Sequence, residues 1–218
     1  MEKTPLIKSI SYDQNEILQW SIRLYVPAGW FDADATYSKG GFYTVIPPPA
    51  LRYDLTPVSP DVTQADCLHL PLESGSIHSL ILDPPFLATT GKSLVTSLGN
   101  IISRRFSVCK SELELSQLYQ DAIKEAHRVL TDRGVLVFKC QDKVSSGKQY
   151  MMHCHVFNWA TAIGFEPLDL FVLLAKNRLV ADWQRNQKHA RKYHAYFWVF
   201  RKKVIPLERN HAERLYRR

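Results

Sequence analysis

The sequence of 218 residues lacks several features, and each absence argues against a class of protein. No apolar run approaches the roughly 18 to 20 residues that a membrane-spanning helix needs. The first residues contain no basic segment followed by an apolar run, so we expect no secretory signal. The four cysteines form no Cys-x-x-Cys pair, which argues against a disulfide framework and favours a reducing compartment. We therefore expect a cytoplasmic protein without a membrane segment.

The composition and the placement of charge indicate the kind of partner. Hydrophobic residues make up 45% and charged residues 22%, the balance of one ordinary globular domain. The net charge is +7. From Lys176 onward there are 13 Lys and Arg against 3 Asp and Glu, whereas the first 175 residues carry 15 against 18. This concentration of positive charge favours nucleic acid as the partner, and a solvated basic tail is the alternative.

The order of strands and helices predicts the fold class. Apolar strands are expected at 79–82, 135–138, 168–174 and 195–200, with shorter ones at 52–55 and 62–67. Helices are expected at 113–130 and 151–163, and Ser111 with Glu114 forms a capping box for the first. This alternation predicts an α/β fold with a mostly parallel sheet, whose last two strands can pair antiparallel.

The chain divides into three expected regions. Residues 1–30 are expected to be an N-terminal extension, in which 7–12 and 17–26 can each be a helix or a strand. Residues 31–202 form the main domain, and residues 203–218 form a basic C-terminal tail.

The segment Asp83-Pro84-Pro85-Phe86 carries the strongest chemical pattern. It follows the apolar strand at 79–82, and ligands of open α/β sheets bind at such carboxyl ends of strands. The Asp83 carboxylate and the Pro84 carbonyl can each accept a hydrogen bond from an exocyclic amine, while Phe86 stacks on the ring that carries the amine. Two adjacent prolines fix the backbone, so both acceptors are positioned before the substrate arrives.

This segment resembles the Asp/Asn/Ser-Pro-Pro-aromatic motif of the S-adenosylmethionine-dependent amino methyltransferases, which methylate adenine N6, cytosine N4 or, less often, a glutamine or lysine nitrogen. Residues 65–79 resemble the family's lead-in, and residues 126–138 resemble its helix, turn and fifth strand. The resemblance implies a Rossmann-like class I methyltransferase with a seven-stranded mixed sheet and helices on both faces. It also implies S-adenosyl-L-methionine as the cofactor, Asp66 beside the cofactor's adenine, and a catalytic set made of Asp83, Pro84, Pro85 and Phe86.

The family's glycine-rich first motif is absent, so a different segment is expected to hold the cofactor. Residues 31–42 contain a carboxylate followed by a small, polar Gly-Gly loop, and adjacent glycines allow close approach to the backbone. Asp34 is expected to bind the cofactor's amino group and residues 38–41 its carboxylate, with an ordinary surface loop as the alternative. Asp54 is the candidate for the ribose hydroxyls, and a turn cap beside Thr56 is the alternative. The full expected cofactor-binding set is Asp34, Tyr37, Ser38, Lys39, Gly40, Gly41, Asp54, Asp66, Cys67 and Asp83.

Two basic segments are expected to bind the substrate. One follows the catalytic motif at 89–106, and the other lies at 177–194, where basic residues alternate with Trp, Gln and His. For the second segment, a charged hairpin exposed to water is the alternative. The expected substrate-binding residues are Lys92, Arg104, Arg105, Arg178, Arg185, Lys188, His189, Arg191 and Lys192.

The expected substrate is DNA adenine N6, with the base flipped into a pocket at Asp83. RNA or cytosine N4 as the substrate is one alternative, and a catalytically inactive, methyltransferase-like protein that binds nucleic acid is another. No metal is expected, because His153-Cys154-His155 is too tightly spaced and has no second ligand pair. The recognition sequence and the oligomeric state stay open.

Overall fold

Strands and helices alternate along the chain in the computed structural model, which describes residues 6–86, 88, 109–176 and 188–204. The strands are β1 (Ile10–Ser11), β2 (Ala33–Asp34), β3 (Leu51–Asp54), β4 (Thr63–Gln64), β5 (Ile77–Leu82), β6 (Leu130–Cys140), β7 (Lys143–Ser145), β8 (Lys148–Tyr150), β9 (Phe165–Leu174) and β10 (His194–Lys202). The helices are α1 (Gln14–Tyr25), α2 (Glu112–Val129) and α3 (Met152–Ala162). None of these described helices has the length and apolarity to cross a membrane.

One large mixed sheet organises the described residues. Its order is β1-β9-β10-β6-β5-β2-β3-β4, while β7 and β8 form a separate hairpin. From β6 to β4 all neighbours pair parallel, whereas β10 runs antiparallel to both β6 and β9, which confirms the expected pairing of the last two strands. Tyr196, near the start of β10, pairs with Cys140 at the end of β6. The beginning of β10 therefore lies at the same sheet edge as the carboxyl ends of the parallel strands.

The N-terminal region supplies an edge strand and a covering helix. β1 pairs parallel with β9, and Ile10 lies opposite Val172, so the described sheet has eight strands where seven were expected. Residues 14–25 form a helix, which is one of the two possibilities that the sequence left open. Asp13 caps this helix because its carboxylate accepts a hydrogen bond from the Asn15 N–H.

Helices cover both faces of the sheet, as expected. Along β5, Leu80 and Leu82 belong to an apolar core that includes residues of α2 and α3. Ile81 points to the opposite face, as alternation along a strand requires, and belongs to a second core that includes Ile17 and Leu18 of α1. The central strands are therefore buried from both sides, and this burial is the main term that stabilises the domain.

The helix α2 begins at the cap that the sequence predicts, but the strand that follows it begins earlier than expected. The Ser111 hydroxyl accepts from the Glu114 N–H, which confirms the cap. The Glu114 carboxylate accepts from the N–H of Lys110, one residue before the partner that a capping box would use. At the other end β6 begins at Leu130, five residues earlier than the expected strand at 135–138, because Leu130 already pairs with Ile77 of β5.

The two shortest strands of this half of the sheet matter most for the site. β2 has only two residues and was not expected, since so short a segment has no periodicity to detect. It lies between β3 and β5, where Ala33 pairs with Leu51 on one side and Leu80 on the other. β4 is likewise shorter than the expected strand at 62–67. The strand β2 brings the polar loop that follows it to the carboxyl end of β5.

Candidate active site

A cavity of about 310 Å³ opens at the sheet edge where β2, β3, β5 and β6 end. This is the edge at which open α/β sheets bind their ligands. Its walls come mainly from the loops that follow these strands, and one side chain comes from the start of α1. The lining residues are Gln14, Thr36, Tyr37, Ser38, Lys39, Gly41, Phe42, Asp54, Thr56, Val58, Asp83 and Lys139. Six of the expected cofactor-binding residues are therefore brought together here: Tyr37, Ser38, Lys39, Gly41, Asp54 and Asp83.

The elbow, which we define as Asp83, Pro84, Pro85 and Phe86, directly follows β5. Its backbone is tied to the neighbouring loop, because the Asp83 N–H donates to the Thr36 hydroxyl at 2.7 Å. Its far end is held by the Lys143 ammonium, which donates to the Phe86 carbonyl at 3.2 Å. Pro84 is buried. The elbow is thus anchored at both ends and cannot join a sheet ladder, since proline has no N–H.

The two oxygens of the Asp83 carboxylate have different surroundings. Oδ2 accepts a hydrogen bond from the Lys139 ammonium at 3.0 Å. Oδ1 is buried, and no donor among the described residues reaches it. Burial raises the pKa of Asp83 above its usual value, and the Lys139 charge acts against that rise. A buried acceptor without a donor is costly to the protein alone, and a ligand that brings an N–H can complete it.

Asp34, at the end of β2, has both its carboxylate oxygens engaged by the protein. Its Oδ1 accepts from the Thr36 N–H at 2.8 Å and from the Thr36 hydroxyl at 3.2 Å, and its Oδ2 accepts from the Tyr43 hydroxyl at 2.6 Å. The side chain is buried and does not line the cavity. Burial is the largest effect on its pKa and raises it to about 7. The described contacts make Asp34 a support of the loop that follows it.

The loop after β2 places backbone along the cavity despite lacking a Gly-x-Gly pattern. Ser38 has a φ of 52° and its N–H donates to Asp54 Oδ2 at 2.8 Å. Gly40 has a φ of 68°, and a Cβ at this position would lie 2.7 Å from the Tyr37 hydroxyl oxygen. Only glycine meets both conditions without strain. Gly41 lines the cavity, whereas Gly40 lies behind Tyr37 and shapes the turn.

Asp54, at the end of β3, is both a cavity residue and a turn cap. Its Oδ1 accepts from the Thr56 N–H at 2.8 Å, which is the turn contact that the sequence left as the alternative. Its Oδ2 accepts from the Ser38 N–H, so the carboxylate joins the loops after β2 and β3. Asp54 also lines the cavity, where its assigned role with ribose hydroxyls stays a prediction.

Asp66 and Cys67 lie after β4, outside the lining of the cavity. The Asp66 carboxylate accepts from the Leu68 N–H at 3.0 Å, which closes a local turn. Burial raises the pKa of the Cys67 thiol to about 12, so the thiol stays protonated. Their expected role at the cofactor's adenine stays a prediction.

Some of the expected substrate-binding residues lie at the edge of the sheet that carries the cavity. Lys188 and His189 are exposed, and Arg191 and Lys192 are half-buried, just before β10 begins. Because β10 starts where β6 ends, this stretch lies at the carboxyl edge of the parallel strands. Five other expected residues lie outside the described part of the chain: Lys92, Arg104, Arg105, Arg178 and Arg185.

Lys139 is the cavity residue whose omission from the sequence-based prediction matters most. It lies near the end of β6, one residue after the apolar run 135–138, and its ammonium contacts Asp83. A charged residue that interrupts the end of a buried strand is the one pattern that could have revealed it.

The segment His153-Cys154-His155 lies on α3, and its first histidine is engaged by a carboxylate. His153 Nδ1 lies 2.8 Å from Asp142 Oδ1. Within residues 6–86, 88, 109–176 and 188–204, no group of three His, Cys, Asp or Glu side chains is arranged to hold a metal ion.

The fold now defines the class of protein. The order of the sheet, with helices on both faces and one antiparallel strand, is the Rossmann-like class I methyltransferase fold that the sequence predicted. A geranyl diphosphate methyltransferase, solved with GPP and sinefungin, is similar with a TM-score of 0.53 and 13% identity over 88% of this chain and 78% of that chain. A Burkholderia thailandensis 1,6-didemethyltoxoflavin N1-methyltransferase, solved with S-adenosylhomocysteine, has a TM-score of 0.51 and 9% identity over 89% and 80%.

More distant similarity extends to a proposed DNA modification methylase from Thermus thermophilus. Its TM-score is 0.41 and its identity 17%, over 66% of this chain and 54% of that chain. The chain thus spans about half the length of that methylase. No protein-family model and no curated protein matches the sequence. The similarities to the geranyl diphosphate methyltransferase and the didemethyltoxoflavin methyltransferase establish the fold, and the function must be argued from the residues of the site.

Proposed function

We propose that this protein transfers a methyl group from S-adenosyl-L-methionine to an exocyclic amine of a nucleobase, and that the substrate is adenine N6 in DNA. The observation that carries the proposal is the position of the elbow. Asp83 lines the same cavity as the Gly-Gly loop, and its Oδ1 is a buried acceptor that no described donor reaches. The resemblance of Asp83-Pro84-Pro85-Phe86 to the amino methyltransferase motif supports the same reaction class.

The residues present suit this cofactor. The cavity combines exposed loop backbone at Ser38 and Gly41 with the carboxylate of Asp54, which are the kinds of groups that can bind a zwitterionic methionine end and ribose hydroxyls. When bound, the cofactor supplies an electrophilic methyl group on a sulfonium. Tyr37, Ser38, Lys39, Gly41 and Asp54 would hold it.

The elbow acts on the amine. One N–H donates to Asp83 Oδ1 and the other to the Pro84 carbonyl, which draws the nitrogen lone pair out of conjugation and directs it at the methyl group. Phe86 stacks on the base. With the cofactor bound, a nitrogen–carbon bond would form as the methyl–sulfur bond breaks, leaving a neutral thioether, and the nitrogen would release one proton to water. Because Oδ1 is covered in the structure, the base must displace the atoms over it as it enters.

A polyanionic substrate is supported by the basic residues that precede β10. Lys188, Arg191 and Lys192 precede β10 at the carboxyl edge of the parallel strands, beside the end of β6. Basic residues in such a position attract phosphates, and their contribution falls as salt rises. The chain carries its excess of positive charge in this C-terminal part.

Radioactive methyl transfer tests the proposal directly. Purified protein is incubated with tritiated S-adenosyl-L-methionine and, in separate reactions, with unmethylated duplex DNA, single-stranded DNA, RNA and protein. Digestion of the product to nucleosides then identifies the methylated base. We expect N6-methyl-2′-deoxyadenosine from DNA. Methylated cytosine or labelled RNA would contradict adenine in DNA as the substrate. Absence of cofactor binding at millimolar concentration in calorimetry would contradict the methyltransferase activity and favour an inactive protein that binds nucleic acid.

A further inference from the structure

The proposed reaction leaves one charged group of the cavity unexplained. Lys139 is on β6, between strands β5 and β10, and only 13% of its side chain is exposed. Holding an ammonium in such surroundings costs free energy unless the charge is paired and hydrogen-bonded. Its anionic partner is Asp83, at 3.0 Å. A lysine kept at this cost beside the proposed catalytic carboxylate indicates a role in the reaction.

Lys139 is confined from more than one direction. Its Nζ lies 4.9 Å from the ring centroid of Phe42 and 5.4 Å from that of Phe197. Aromatic faces attract a cation at such distances, and they leave it little freedom to leave the carboxylate. Phe42 belongs to the loop after β2 and Phe197 to β10, so the position of the ammonium is set by two separate parts of the fold.

The position of the ammonium determines what Asp83 can offer a substrate. Oδ2 is engaged by Lys139, and Oδ1 has no donor among the described residues. We propose that Lys139 is a positioning residue, an inference that rests on the proposed function. Its ammonium fixes Asp83 Oδ2, leaves Oδ1 as the acceptor for the substrate amine, and keeps the carboxylate ionised. Without this cation the carboxylate is free to rotate and to take up a proton, and a protonated Asp83 is a poor acceptor.

Other titratable groups near Asp83 do not replace this charge. Asp34, Tyr43, Tyr119 and Cys140 all interact electrostatically with Asp83. Burial raises the pKa of Asp34 to about 7 and also raises the pKa of Tyr43, Tyr119 and Cys140. These groups are either neutral or negatively charged, so none of them can supply the positive charge of Lys139. Among these neighbours only Lys139 favours the ionised form of Asp83.

The other end of the elbow has its own lysine, which offers a comparison. Lys143 donates to the Phe86 carbonyl at 3.2 Å and forms an ion pair with Glu112 at 2.7 Å. Its ammonium is thereby engaged away from the Asp83 carboxylate, whose Oδ2 is bound by Lys139. Lys143 therefore fixes the aromatic end of the elbow and has no direct part in setting the charge of Asp83.

The test compares Lys139→Met, Lys139→Arg, Lys143→Met and Lys124→Met. Lys124 is the matched control, because it pairs with Asp121 on the exposed face of α2. The pH dependence of kcat is measured for each, together with the cofactor Kd by calorimetry. We expect the acid limb of the Lys139→Met profile to move up by about 1 pH unit or more, since an opposite charge at this distance shifts a carboxyl pKa by roughly 1 to 3 units. Lys139→Arg should restore the wild-type limb.

Lys143→Met should raise KM with an unshifted acid limb, and Lys124→Met should match the wild type. A second readout does not depend on activity: the Asp83 carboxyl carbon is titrated by carbon-13 NMR and assigned by its loss in Asp83→Ala. An Asp83 titration unchanged in Lys139→Met overturns the role of Lys139, whether or not the variant is active. Absence of methyl transfer by the wild type to every acceptor overturns the proposed function instead, so the two failures give different results.

Discussion

Asp34 and Asp83 are acidic residues at the ends of two paired strands, but their carboxylates have different hydrogen-bond partners. The ends of β2 and β5 lie side by side, with Asp34 opposite Ile81, and the Thr36 hydroxyl links the two residues by donating to Asp34 and accepting from the Asp83 N–H. Asp34 is held by neutral donors on both oxygens. Asp83 has a cation on one oxygen and no described donor on the other.

This difference is the basis for proposing Asp83 as the reacting carboxylate and Asp34 as a structural one. A buried acid whose two oxygens both accept hydrogen bonds from the protein serves to hold a loop. A buried carboxylate that is paired with a counter-ion can remain in the folded protein, and its unbonded oxygen is free to accept a hydrogen bond from a substrate. We therefore expect substitution of Asp83 to change the rate of methyl transfer and substitution of Asp34 to change the free energy of unfolding.

The largest expected effect is the loss of activity in Asp83→Ala. We expect kcat for methyl transfer to fall by about 10²- to 10³-fold or more, the usual consequence of removing a preorganised hydrogen-bonding group from the reacting centre. The cofactor Kd should stay within a few-fold. Single-turnover methyl transfer and calorimetry measure the two quantities.

The control for this prediction removes the lysine left without a partner. Asp83→Ala alone strands the Lys139 charge, which can destabilise the fold. The double variant Asp83→Ala/Lys139→Met removes both charges and should unfold near the wild-type temperature while remaining inactive. Substantial turnover in either variant would remove Asp83 from the mechanism.

The same comparison shows how much could be read from the sequence. The elbow was predictable, because an apolar strand stopped by Asp83 and two prolines is a local pattern of consecutive residues. The α/β alternation and the Ser111 cap were predictable for the same reason. The partner of Asp83 was not, since Lys139 lies 56 residues away and meets it only when β5 and β6 pair.

The role of Asp34 shows a second limit. Its place before a Gly-Gly loop predicts a contact with the cofactor's amino group, which stays a prediction. The sequence does not show that the nearby Tyr43 turns back and donates to Asp34 Oδ2 at 2.6 Å. No periodicity or spacing encodes that turn, which depends on a two-residue strand and on positive φ values at Ser38 and Gly40. The edge strand β1 lies within residues 7–12, which the sequence left open as a helix or a strand, because two residues are too few to show alternation.

The second prediction concerns the pH dependence of folding. The pKa of Asp34 rises from 3.8 in the unfolded chain to about 7 in the folded protein. The native state therefore holds a proton that the unfolded chain has released, and this contribution to stability is present below about pH 4 and lost as the pH rises through about 7. Between about pH 5 and 7 the wild-type free energy of unfolding should fall by about 2 kcal/mol more than that of Asp34→Asn.

Urea unfolding at about pH 5, 6 and 7 measures this difference. Asparagine keeps the shape and the acceptor for the Thr36 N–H, and it cannot titrate. Asp83 also has a raised pKa and contributes with the same sign in both proteins, so the comparison removes its contribution except for its electrostatic interaction with Asp34. Parallel pH dependences for wild type and Asp34→Asn would contradict the buried, proton-holding character of Asp34.

The smallest expected effect tests the loop that Asp34 supports, by comparing Gly40→Ala with Gly41→Ala. A Cβ on Gly40 would lie 2.7 Å from the Tyr37 hydroxyl oxygen, and the residue has a φ of 68°. Tyr37 cannot shift freely, because its ring stacks on Tyr43, whose hydroxyl binds Asp34. We expect Gly40→Ala to lower the free energy of unfolding by about 1 to 2 kcal/mol, the cost of a left-handed backbone for a residue with a Cβ together with this contact.

Gly41→Ala is the matched control, because a Cβ there meets no atom within 4 Å. Its free energy of unfolding should stay within about 0.5 kcal/mol of the wild type. Thermal or urea unfolding of the two variants side by side measures the difference. Equal stabilities would mean that the turn at Gly40 tolerates a side chain, and that the contacts of Asp34 with Thr36 and Tyr43 do not depend on the path of the loop. A larger loss of stability in Gly40→Ala than in Gly41→Ala would instead support a loop whose path depends on the turn at Gly40 and on the contacts of Asp34.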